Sequence, residues 1–507
     1  MKLGWKHKSA HEPRKSGPTL GSSSAAAGTA AILLLAAGVS AHAAIGPNYV
    51  RPTNDVPAGY KGVSLGDWKE GRPLDHVPKG SWWEIFGDEN LNALEARATG
   101  ANQDLRAAVA RVDQARSTAR VSRADLFPNL SFDPSWVRQK YSATQVPNFG
   151  NVTANTFTLP LDLSSAIDLW GKVRRGFEAA RADAAASLAA LQSVLLTLQA
   201  DVAITYFQLR ALDAEIGTVN STVGLRREQL QLVRSRFEGG IGNELDIARA
   251  ETELAGAEAD AAGLAKRRGE LENSLAILLG SNPSSFQFAA ASEWKPVAPS
   301  IPAGLPADLL ERRPDVAEAE RHLAAANARI GVAKAAFFPV FRLTGSGGYV
   351  SGSLDDLFKW DSHVWTLGPS VSLPLFAGGR NRANFQRSKS IYAENVAKYR
   401  QQVLIAFGEV ENSLSGIHHL DIQAAAQDRA ARSARRAADL AGDRYRAGIV
   451  SYLEVVDASR EALQTDRATA QLAGQRLIAT TQLIKALGGG WSEDQLLAKS
   501  KAGTTPK

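Results

Sequence analysis

An internal duplication constrains this chain more than any other feature of its 507 residues. The segment RFEGGIGNELDI at residues 236–247 resembles RYRAGIVSYLEV at residues 444–455, which follows 208 positions later. Other blocks pair at the same offset, and blocks farther upstream pair at an offset of 211. These pairs are Leu279-Gly280 with Leu487-Gly488, Asp201-Val202 with Glu409-Val410 and, at 211, Phe127-Pro128 with Phe338-Pro339. Self-similarity at a fixed period indicates one structural unit built twice.

Both units predict the same order of elements. A helix of moderate length ends at the Phe-Pro pair, because the residue before a proline is pushed out of the α region. Two stretches with alternating apolar and polar residues follow, and then comes a long helical stretch without proline, at 171–237 and at 379–445. At a rise of 1.5 Å per residue, about 67 residues form roughly 100 Å of helix. A tight turn and a second helix complete a long helical hairpin.

Glycines and N-cap residues predict the turn at the tip of each hairpin. Gly240 and Gly448 suit the left-handed conformation that closes a helix. Asn243 and Ser451 suit the N-cap of the next helix. The helices are rich in Ala, Arg and Glu, which favours packing on neighbouring helices as in a coiled coil. An ordinary long coiled coil is therefore an alternative for this part of the chain.

The alternating stretches are typical of β-strands that span a membrane. In the clearest one, small polar residues share one face and the predicted lipid-facing residues share the other. The predicted lipid-facing residues are Trp365, Leu367, Val371 and Leu373. Each stretch has about 10 residues, the length of a tilted membrane strand. A soluble sheet packed on helices is the alternative. Four strands cannot close a membrane barrel, because the smallest barrels have about eight and lipid does not tolerate open edges. Spanning strands would therefore require an oligomer.

The ends of the chain lie outside the repeats. Residues 1–43 resemble a secretory signal peptide, with a basic start, an apolar run at 25–39 and Ala41-His42-Ala43, which predicts cleavage before Ala44. An uncleaved anchor is the alternative. No later segment has about 18 consecutive apolar residues, so no later spanning helix is expected. The predicted domains are a signal peptide (1–43), an N-terminal extended strap (44–80), the first repeat (81–284), a linker (285–304), the second repeat (305–490) and a flexible C-terminal tail (491–507).

The composition argues against several kinds of site. There is no cysteine, which rules out disulfides, thiol nucleophiles and cysteine-ligated metals. The eight histidines are scattered, without the HExxH spacing of a metal site. The net charge is +6, but residues 1–43 hold five basic residues against one glutamate, and the remainder has no basic stripe for nucleic acid. The sequence therefore predicts no enzyme activity, no catalytic residue, no cofactor, no metal centre and no nucleic-acid partner.

Several motifs resemble those of the outer-membrane efflux protein family, the TolC-like channels, and in particular the branch that serves resistance-nodulation-division pumps. The motifs are GPNYVRP at 46–52, WWEIFGD at 82–88, LFP at 126–128, RRPDV at 312–316 and RYRAG at 444–448. The resemblance implies a mainly α-helical fold with a β-barrel part. Its homotrimer would place four strands per chain in a 12-stranded outer-membrane barrel, continued by a long α-helical barrel in the periplasm.

One motif of this branch is missing. Most members carry a lipid-bearing cysteine before the Gly-Pro-x-Tyr stretch, whereas the residues before Gly46 include none. We therefore expect an outer-membrane protein that extends into the periplasm, contacts lipid through its barrel and is not lipidated.

The resemblance also implies a function without chemistry. The channel would be the passive exit duct for drugs or other small molecules, delivered by an inner-membrane resistance-nodulation-division pump through a periplasmic membrane-fusion adaptor. Similar channels constrict their periplasmic aperture with rings at the positions of Leu453 and Asp457. The implied latch charges between helices are Arg236, Asp246, Arg444 and Glu454. The implied adaptor contacts are the tip residues Gly240, Asn243, Gly448 and Ser451. The alternatives are that Leu453 is a knob in a helix seam and that the four charges are solvated surface groups.

Other functions stay open at this point. The same fold also serves type I protein secretion. A periplasmic coiled-coil scaffold or adaptor belongs to a different class, although we see no β-rich lipoyl-like module between the hairpin halves. An enzyme acting on sugars or phosphates is the least favoured alternative, because carboxylate pairs in a loop, such as Asp355-Asp356, are usually solvated. The Gly-rich stretch at 345–348 also fails the dinucleotide motif, since Val350 stands where the third glycine is needed.

Overall fold

The computed structural model describes residues 44–53, 80–142, 152–291, 294, 298–299 and 312–489. The predicted signal peptide (1–43) and C-terminal tail (491–507) lie outside the described residues, as do most of the strap and part of the linker. Within the described ranges the chain is mainly helical and forms one sheet.

The duplication is visible in the lengths of the helices. The described ranges contain α1 (Glu89–Ala101), α2 (Gln103–Ala124), α3 (Lys172–Glu238), α4 (Glu244–Leu278), α5 (Pro314–Ala335), α6 (Arg380–Arg446) and α7 (Tyr452–Ala486). The helices α3 and α6 have 67 residues each, α4 and α7 have 35, and α2 and α5 have 22. Because α3 and α6 contain no proline, each runs without interruption for roughly 100 Å.

One stretch of α3 qualifies the expectation that no helix after the leader could span a membrane. By length and composition, α3 contains a window that is apolar enough to cross a bilayer. However, 44% of that window is buried inside the chain, and α3 packs against α1, α2, α4, α5 and α7. These contacts show that α3 packs on other helices of the chain, and such packing also requires apolar side chains.

The strands form one antiparallel sheet at the end of the helical layer. They are β1 (Asn129–Phe132), β2 (Ser135–Lys140), β3 (Thr153–Ile167), β4 (Val340–Ser351) and β5 (His363–Ser372). Both β1 and β2 pair with β3, β3 pairs with β4, and β4 pairs with β5. The sheet is therefore four strands wide, with β1 and β2 along one edge and β5 along the other.

The sequence predicted a single strand where the structure has β1 and β2. The register does not shift between them, since Phe132 lies opposite Leu161 and Ser135 lies opposite Thr158. The break falls at Asp133-Pro134, and the residue that this register places opposite Asp133 is Pro160. A proline has no N–H group to donate to a neighbouring strand, so the hydrogen bonds are interrupted while the direction of the strand is kept.

The two faces of the sheet differ in polarity, because directly opposite residues share a face. One row across the sheet consists of Phe132, Leu161, Gly347 and Trp365. The next row, on the other face, consists of Ser131, Asp162, Ser346 and Thr366. The alternation of apolar and polar residues that the sequence predicts is therefore present at all four strand positions of the sheet.

The apolar face is exposed in the single chain. The exposed fractions are 74% for Trp365, 55% for Leu367 and 62% for Val371. Leu373 is also exposed, but it lies one residue beyond the end of β5, so it continues the predicted row without belonging to the strand. A contiguous exposed apolar face of this kind indicates contact with lipid or with another protein surface.

The main hydrophobic core lies where α1 and the preceding 3-10 turn (Trp82–Phe86) cover the long helices. Its fully buried members include Trp82, Leu91, Tyr206, Leu275 and Leu483. The phenol of Tyr206 donates a hydrogen bond of 2.5 Å to a carboxylate oxygen of Asp88, the N-cap of α1. This bond fixes the start of α1 on the middle of α3.

A carboxyl group is buried beside this core. Glu95 of α1 is 0% exposed, and among the described residues neither of its carboxyl oxygens finds a hydrogen-bond partner. Its neighbours Leu91, Leu94 and Ala98 on the same helix belong to the core. Burial raises the pKa of Glu95 to about 9, because a low-dielectric environment disfavours the charged form. Glu95 is therefore a neutral acid at pH 7.

The described start of the strap, residues 44–53, crosses helices of the second copy. Arg51 donates a hydrogen bond of 3.0 Å to the hydroxyl of Tyr399 on α6 and lies 3.3 Å from the carboxylate of Glu320 on α5. Gly46 adopts a φ of 121°, and an added Cβ there would lie 2.6 Å from the Cα of Gly331 on α5. Only glycine fits this close approach of two backbones.

Candidate functional site

The first hairpin tip is the turn between α3 and α4. Gly240 has a φ of 76°, and the N–H of Ile241 donates a hydrogen bond of 3.0 Å to the carbonyl of Arg236, which closes α3. Asn243 caps α4, since its side-chain oxygen accepts a hydrogen bond of 3.0 Å from the N–H of Leu245. Both residues therefore have the local geometry that the sequence predicts for them.

The second hairpin tip repeats this turn with one difference. Gly448 has a φ of 74°, and the N–H of Ile449 donates a hydrogen bond of 2.9 Å to the carbonyl of Arg444. Ser451 occupies the N-cap position of α7 with an extended backbone, but its side chain makes no capping hydrogen bond. The position was predicted correctly, whereas the capping bond that serine favours there is absent.

Both tips present an apolar side chain to solvent. Ile241 is 76% exposed and Ile449 is 71% exposed. The two isoleucines are equivalent under the offset of 208, so the duplication places one at each tip.

The predicted aperture residues lie on the exposed face of α7. Leu453 is 41% exposed, and Asp457, one turn later, is also exposed. On the opposite face of the same turns, Tyr452, Val455 and Val456 are buried and pack against the first hairpin. In the single chain Leu453 is therefore not a buried seam residue, and Asp457 lies on the same face because positions four apart are neighbours on a helix.

Of the four predicted latch charges, Arg236 does connect the two hairpins. Its Nη1 donates a hydrogen bond of 3.0 Å to the carbonyl of Tyr445, and its guanidinium carbon lies 4.5 Å from the centre of the Tyr445 ring. Its partners are thus the carbonyls at the end of α6, where the helix dipole is negative. Asp246 instead pairs with Arg249 of its own helix, at 3.6 Å.

The remaining two predicted latch charges are exposed. Within the described residues of one chain, neither Arg444 nor Glu454 forms an ion pair within 4 Å. The salt-bridge role predicted for these two residues therefore has no partner inside the described part of a single chain.

A buried carboxylate that the sequence analysis missed holds the hairpins together near the tips. An oxygen of Glu253 on α4 lies 2.9 Å from Nη2 of Arg226 on α3, and Nη1 of Arg226 donates a hydrogen bond of 2.6 Å to the Glu253 carbonyl. The other carboxylate oxygen accepts a hydrogen bond of 2.8 Å from Nε of Arg460 on α7. Hydrogen bonding to Glu253, together with the nearby charge of Asp457, raises the pKa of Arg460.

A second polar network lies farther from the tips and joins the same three helices. Glu215 of α3, which is 2% exposed, accepts hydrogen bonds from Nε of Arg467 at 2.8 Å and from Gln471 at 3.1 Å, both on α7. Arg467 also reaches Asp260 of α4 at 3.0 Å. The two hairpins are therefore cross-linked at two levels by arginines of α7.

Helix periodicity carries a signal for the first network. Glu253 lies between the buried residues Ala250 and Ala257, at the spacing of three and four that marks a coiled-coil seam. Arg226 precedes the buried Val233 by seven residues. A charged residue at a seam position is costly unless it is paired, so such positions point to a structural ion pair, although they do not name its partner.

The comparisons with known proteins cover most of the chain. A family model described as outer membrane efflux protein matches residues 95–281 and 305–489. The toluene efflux pump outer membrane protein TtgI of Pseudomonas putida is 34% identical over 456 residues, which cover 89% of this chain and 96% of that protein. The cation efflux system protein CusC of Escherichia coli is 32% identical over 452 residues, with coverage of 89% and 96%. The solved outer-membrane channel OprN superposes with a TM-score of 0.81 at 31% identity and covers 88% of this chain and 99% of its own.

These similarities establish what kind of protein the chain is. The family model matches more than half of the residues, and the relatives are outer-membrane efflux proteins that are similar over nearly their whole length. The chain is thus an efflux channel of the outer membrane, and its relatives are channels rather than enzymes. None of its 507 residues is a cysteine, so it carries no lipid at a cysteine. The chain belongs to the outer membrane efflux protein family.

Proposed function

We propose that three copies of this chain close one 12-stranded barrel in the outer membrane. The observation that carries the proposal is the open sheet, four strands wide, with an exposed apolar face and two edges that no other described strand of the chain pairs with. Open edges are not tolerated in lipid. Every neighbouring pair is antiparallel, so β5 runs opposite to β1 and β2, and β5 of one chain has the correct direction to pair with that edge of the next. The number three follows the trimers of the family.

We propose that the paired hairpins continue this barrel as a helical tunnel through the periplasm. The helices α3 and α6 follow directly after β3 and β5, so the long helices leave the sheet at one end, and each is roughly 100 Å long. Three copies of two hairpins would enclose one duct. Small polar side chains on one face of the strands, such as Ser346 and Thr366, suit a water-filled interior.

The proposed role is that of the passive exit duct of a tripartite efflux system. One relative is named as the outer membrane protein of a toluene efflux pump and another as a protein of a cation efflux system, which favours efflux of small molecules over type I protein secretion. An inner-membrane pump of the resistance-nodulation-division type would deliver drugs or other small molecules through a periplasmic adaptor. The tips around Gly240, Asn243, Gly448 and Ser451, with exposed isoleucines beside them, are the proposed adaptor contact.

The proposed aperture consists of Leu453 and Asp457 from each chain. Three copies of Asp457 near one axis would repel one another and attract cations. Arg460 lies next to this ring and binds Glu253 of the first hairpin. The position of the aperture residues is thereby coupled to the contact between the hairpins, and releasing that contact would widen the duct.

Conductance across a planar bilayer tests this proposal. The purified wild-type channel is expected to pass small currents with a preference for cations, and Asp457→Ala is expected to lower that preference severalfold, because three charges leave the narrowest point. Asp439→Ala, which removes an exposed carboxylate of α6, is the matched control and should leave the selectivity unchanged. Equal selectivity of the wild type and Asp457→Ala would contradict the assignment of the aperture. A chain that forms no channel in the bilayer would contradict the duct itself.

A further inference from the structure

A groove on the surface of the first repeat is rich in arginine. It lies between α2 and α3 and has a volume of about 500 Å³. Among its lining residues, Asp113 is the one carboxylate, whereas four are arginines; they are Arg116, Arg120, Arg123 and Arg181. The remaining lining residues are apolar; they are Phe177, Ala119 and Ala184. This arginine groove therefore combines an excess of positive charge with apolar surface.

The arginines of the groove have few partners within the described chain. Arg116 lies 3.9 Å from Asp113, and both side chains are exposed, so this pair contributes little. Arg120 donates a hydrogen bond of 3.0 Å to a neighbouring serine hydroxyl. Among the described residues, Arg123 and Arg181 form no ion pair within 4 Å, and both are exposed. Such guanidinium groups are available to an anion, and their paired N–H donors match the oxygens of a phosphate group.

The second repeat fills the equivalent groove with the strap. At the offset of 211, Arg116 corresponds to Asn327 of α5, whose amide donates a hydrogen bond of 3.0 Å to the carbonyl of Pro47. Arg120 corresponds to Gly331, where an added Cβ would lie 2.8 Å from a carbonyl oxygen of the strap. The first repeat has two exposed arginines at these positions instead. The arginines therefore suit a different occupant from the strap, one that carries negative charge.

The groove lies on the side of α3 that continues the apolar face of the sheet. Lys172 of α3 lines a cavity together with Ala166 and Arg342, an opposite pair of β3 and β4 that shares the face of the polar row. Arg181 follows Lys172 by nine residues, which is two and a half turns, so it lies on the opposite side of the helix. Arg181 also lines a groove with Tyr49 of the strap. The strap and the arginine groove are therefore on the side that faces away from the polar face of the sheet.

The groove also lies close to the end of the sheet. Arg123 is the second-to-last residue of α2, and β1 begins at Asn129. Arg181 lies about 14 Å along α3 from its start, at 1.5 Å per residue. Between α2 and β1, Leu126 and Phe127 are exposed, so apolar surface continues up to the arginines. The headgroup layer on each side of a bilayer is roughly 5–8 Å thick, and long arginine side chains extend along apolar surface to reach such a layer.

We propose that the arginine groove binds the headgroup phosphate of an anionic phospholipid in the periplasmic leaflet of the outer membrane. This proposal rests on the proposed barrel, since a sheet that spans the membrane places the groove at this level. The guanidinium groups bind the phosphate oxygens, and Phe177 contacts the apolar part of the lipid. An anionic lipid is favoured over a zwitterionic one because the groove has an excess of positive charge beside a lipid-facing surface. The bound lipid fixes the depth of the channel in the membrane.

Native mass spectrometry with added lipid tests the proposal. The full chain in detergent is mixed with phosphatidylglycerol or with phosphatidylethanolamine, and bound lipids are counted at several lipid concentrations. The test variant combines Arg123→Gln with Arg181→Gln, because neither side chain has an ion pair to lose within the described chain. The matched control combines Arg429→Gln with Arg436→Gln, which removes the same charge from exposed positions of α6, more than about 70 Å along that helix from the sheet.

The wild type is expected to bind phosphatidylglycerol more tightly than phosphatidylethanolamine. The test variant should bind phosphatidylglycerol at least about tenfold more weakly, since each arginine near an anionic lipid contributes about fivefold, and the control should match the wild type. Equal affinity of the wild type and the test variant for phosphatidylglycerol would overturn the proposal. Displacement of the lipid by an equal concentration of inorganic phosphate would also overturn it, because the groove would then bind a free anion.

The same spectra separate this proposal from the proposed barrel. Single chains in place of trimers would contradict the barrel. Trimers whose affinity for phosphatidylglycerol is unchanged by the two substitutions would contradict only the lipid site.

Discussion

Replacing Glu253 with alanine is expected to loosen the packing of α3 on α4 near the tip of the first hairpin, and to remove one contact of that hairpin with α7. Glu253 is the shared partner of Arg226 and Arg460. The side chains of Glu253 and Arg226 are 8% and 9% exposed, whereas that of Arg460 is 58% exposed. The two arms of this network should therefore contribute very different free energies.

The magnitude follows from burial. Removing one partner of a buried ion pair leaves an uncompensated charge and costs about 3–5 kcal/mol. The low end applies here, because Arg226 keeps its hydrogen bond to the Glu253 carbonyl. The exposed arm to Arg460 contributes at most about 1 kcal/mol. We therefore expect Glu253→Ala to lower the local opening free energy of the first hairpin tip by about 3 kcal/mol, which is about two orders of magnitude in the opening equilibrium.

Hydrogen exchange read by mass spectrometry measures this local opening free energy. Amides of the first tip segment should exchange about 100-fold faster in Glu253→Ala, and those around α1 should be unchanged. Glu258→Ala is the matched control, because Glu258 pairs with Arg227 on the exposed surface of the same two helices. Double-mutant cycles should give a coupling free energy between Glu253 and Arg226 that is several times the coupling free energy between Glu253 and Arg460. If Glu253→Ala and Glu258→Ala accelerate exchange equally, the network has no special role at the tips.

Two further changes test the buried groups. The wild type should lose about 1.4 kcal/mol of unfolding free energy per pH unit as the pH rises from roughly 5 to 9, because the pKa of buried Glu95 is raised to about 9 and only the unfolded chain releases its proton in that window. Glu95→Gln should remove this pH dependence, whereas Glu228→Gln, which changes an exposed residue, should keep it. Chemical unfolding at several pH values measures the unfolding free energy of each variant. Equal pH dependence in the wild type and in Glu95→Gln would refute the burial argument. Gly46→Ala should lower the melting temperature by several degrees. Gly87 also has a positive φ but open space around it, so Gly87→Ala should cost only about 1 kcal/mol and lower the melting temperature less. Equal melting temperatures of the two variants would refute the close approach at Gly46.

The repeated parts of the fold could be predicted from the sequence because their signals are local. The absence of proline over 171–237 and 379–445 predicted the two long helices. Gly240 and Gly448 predicted the position of the turns, and both adopt the left-handed conformation there. Period-2 alternation predicted the strands. It did not predict the break at Pro134, because that break depends on hydrogen bonds to a neighbouring strand.

The contacts between the hairpins could not be read from the sequence to the same extent. Glu253 and Arg460 are 207 residues apart, so their meeting depends on how two hairpins pack. Arg236 was predicted as a latch charge, but it binds carbonyls at the end of α6. A guanidinium can donate to backbone carbonyls as well as to carboxylates, so its charge does not name its partner. The aperture roles of Leu453 and Asp457 stay predictions, because they concern contacts between chains.

The proposed channel consists of three chains in the outer membrane, and its stoichiometry can be measured directly. Native mass spectrometry of the protein extracted from isolated outer membranes, with a heat-treated sample as the reference, is that measurement. We expect a species of three times the mass of one chain, which dissociates to single chains on heating. A single chain in the unheated extract, or recovery of the protein in the soluble periplasmic fraction, would contradict a closed barrel made of three chains.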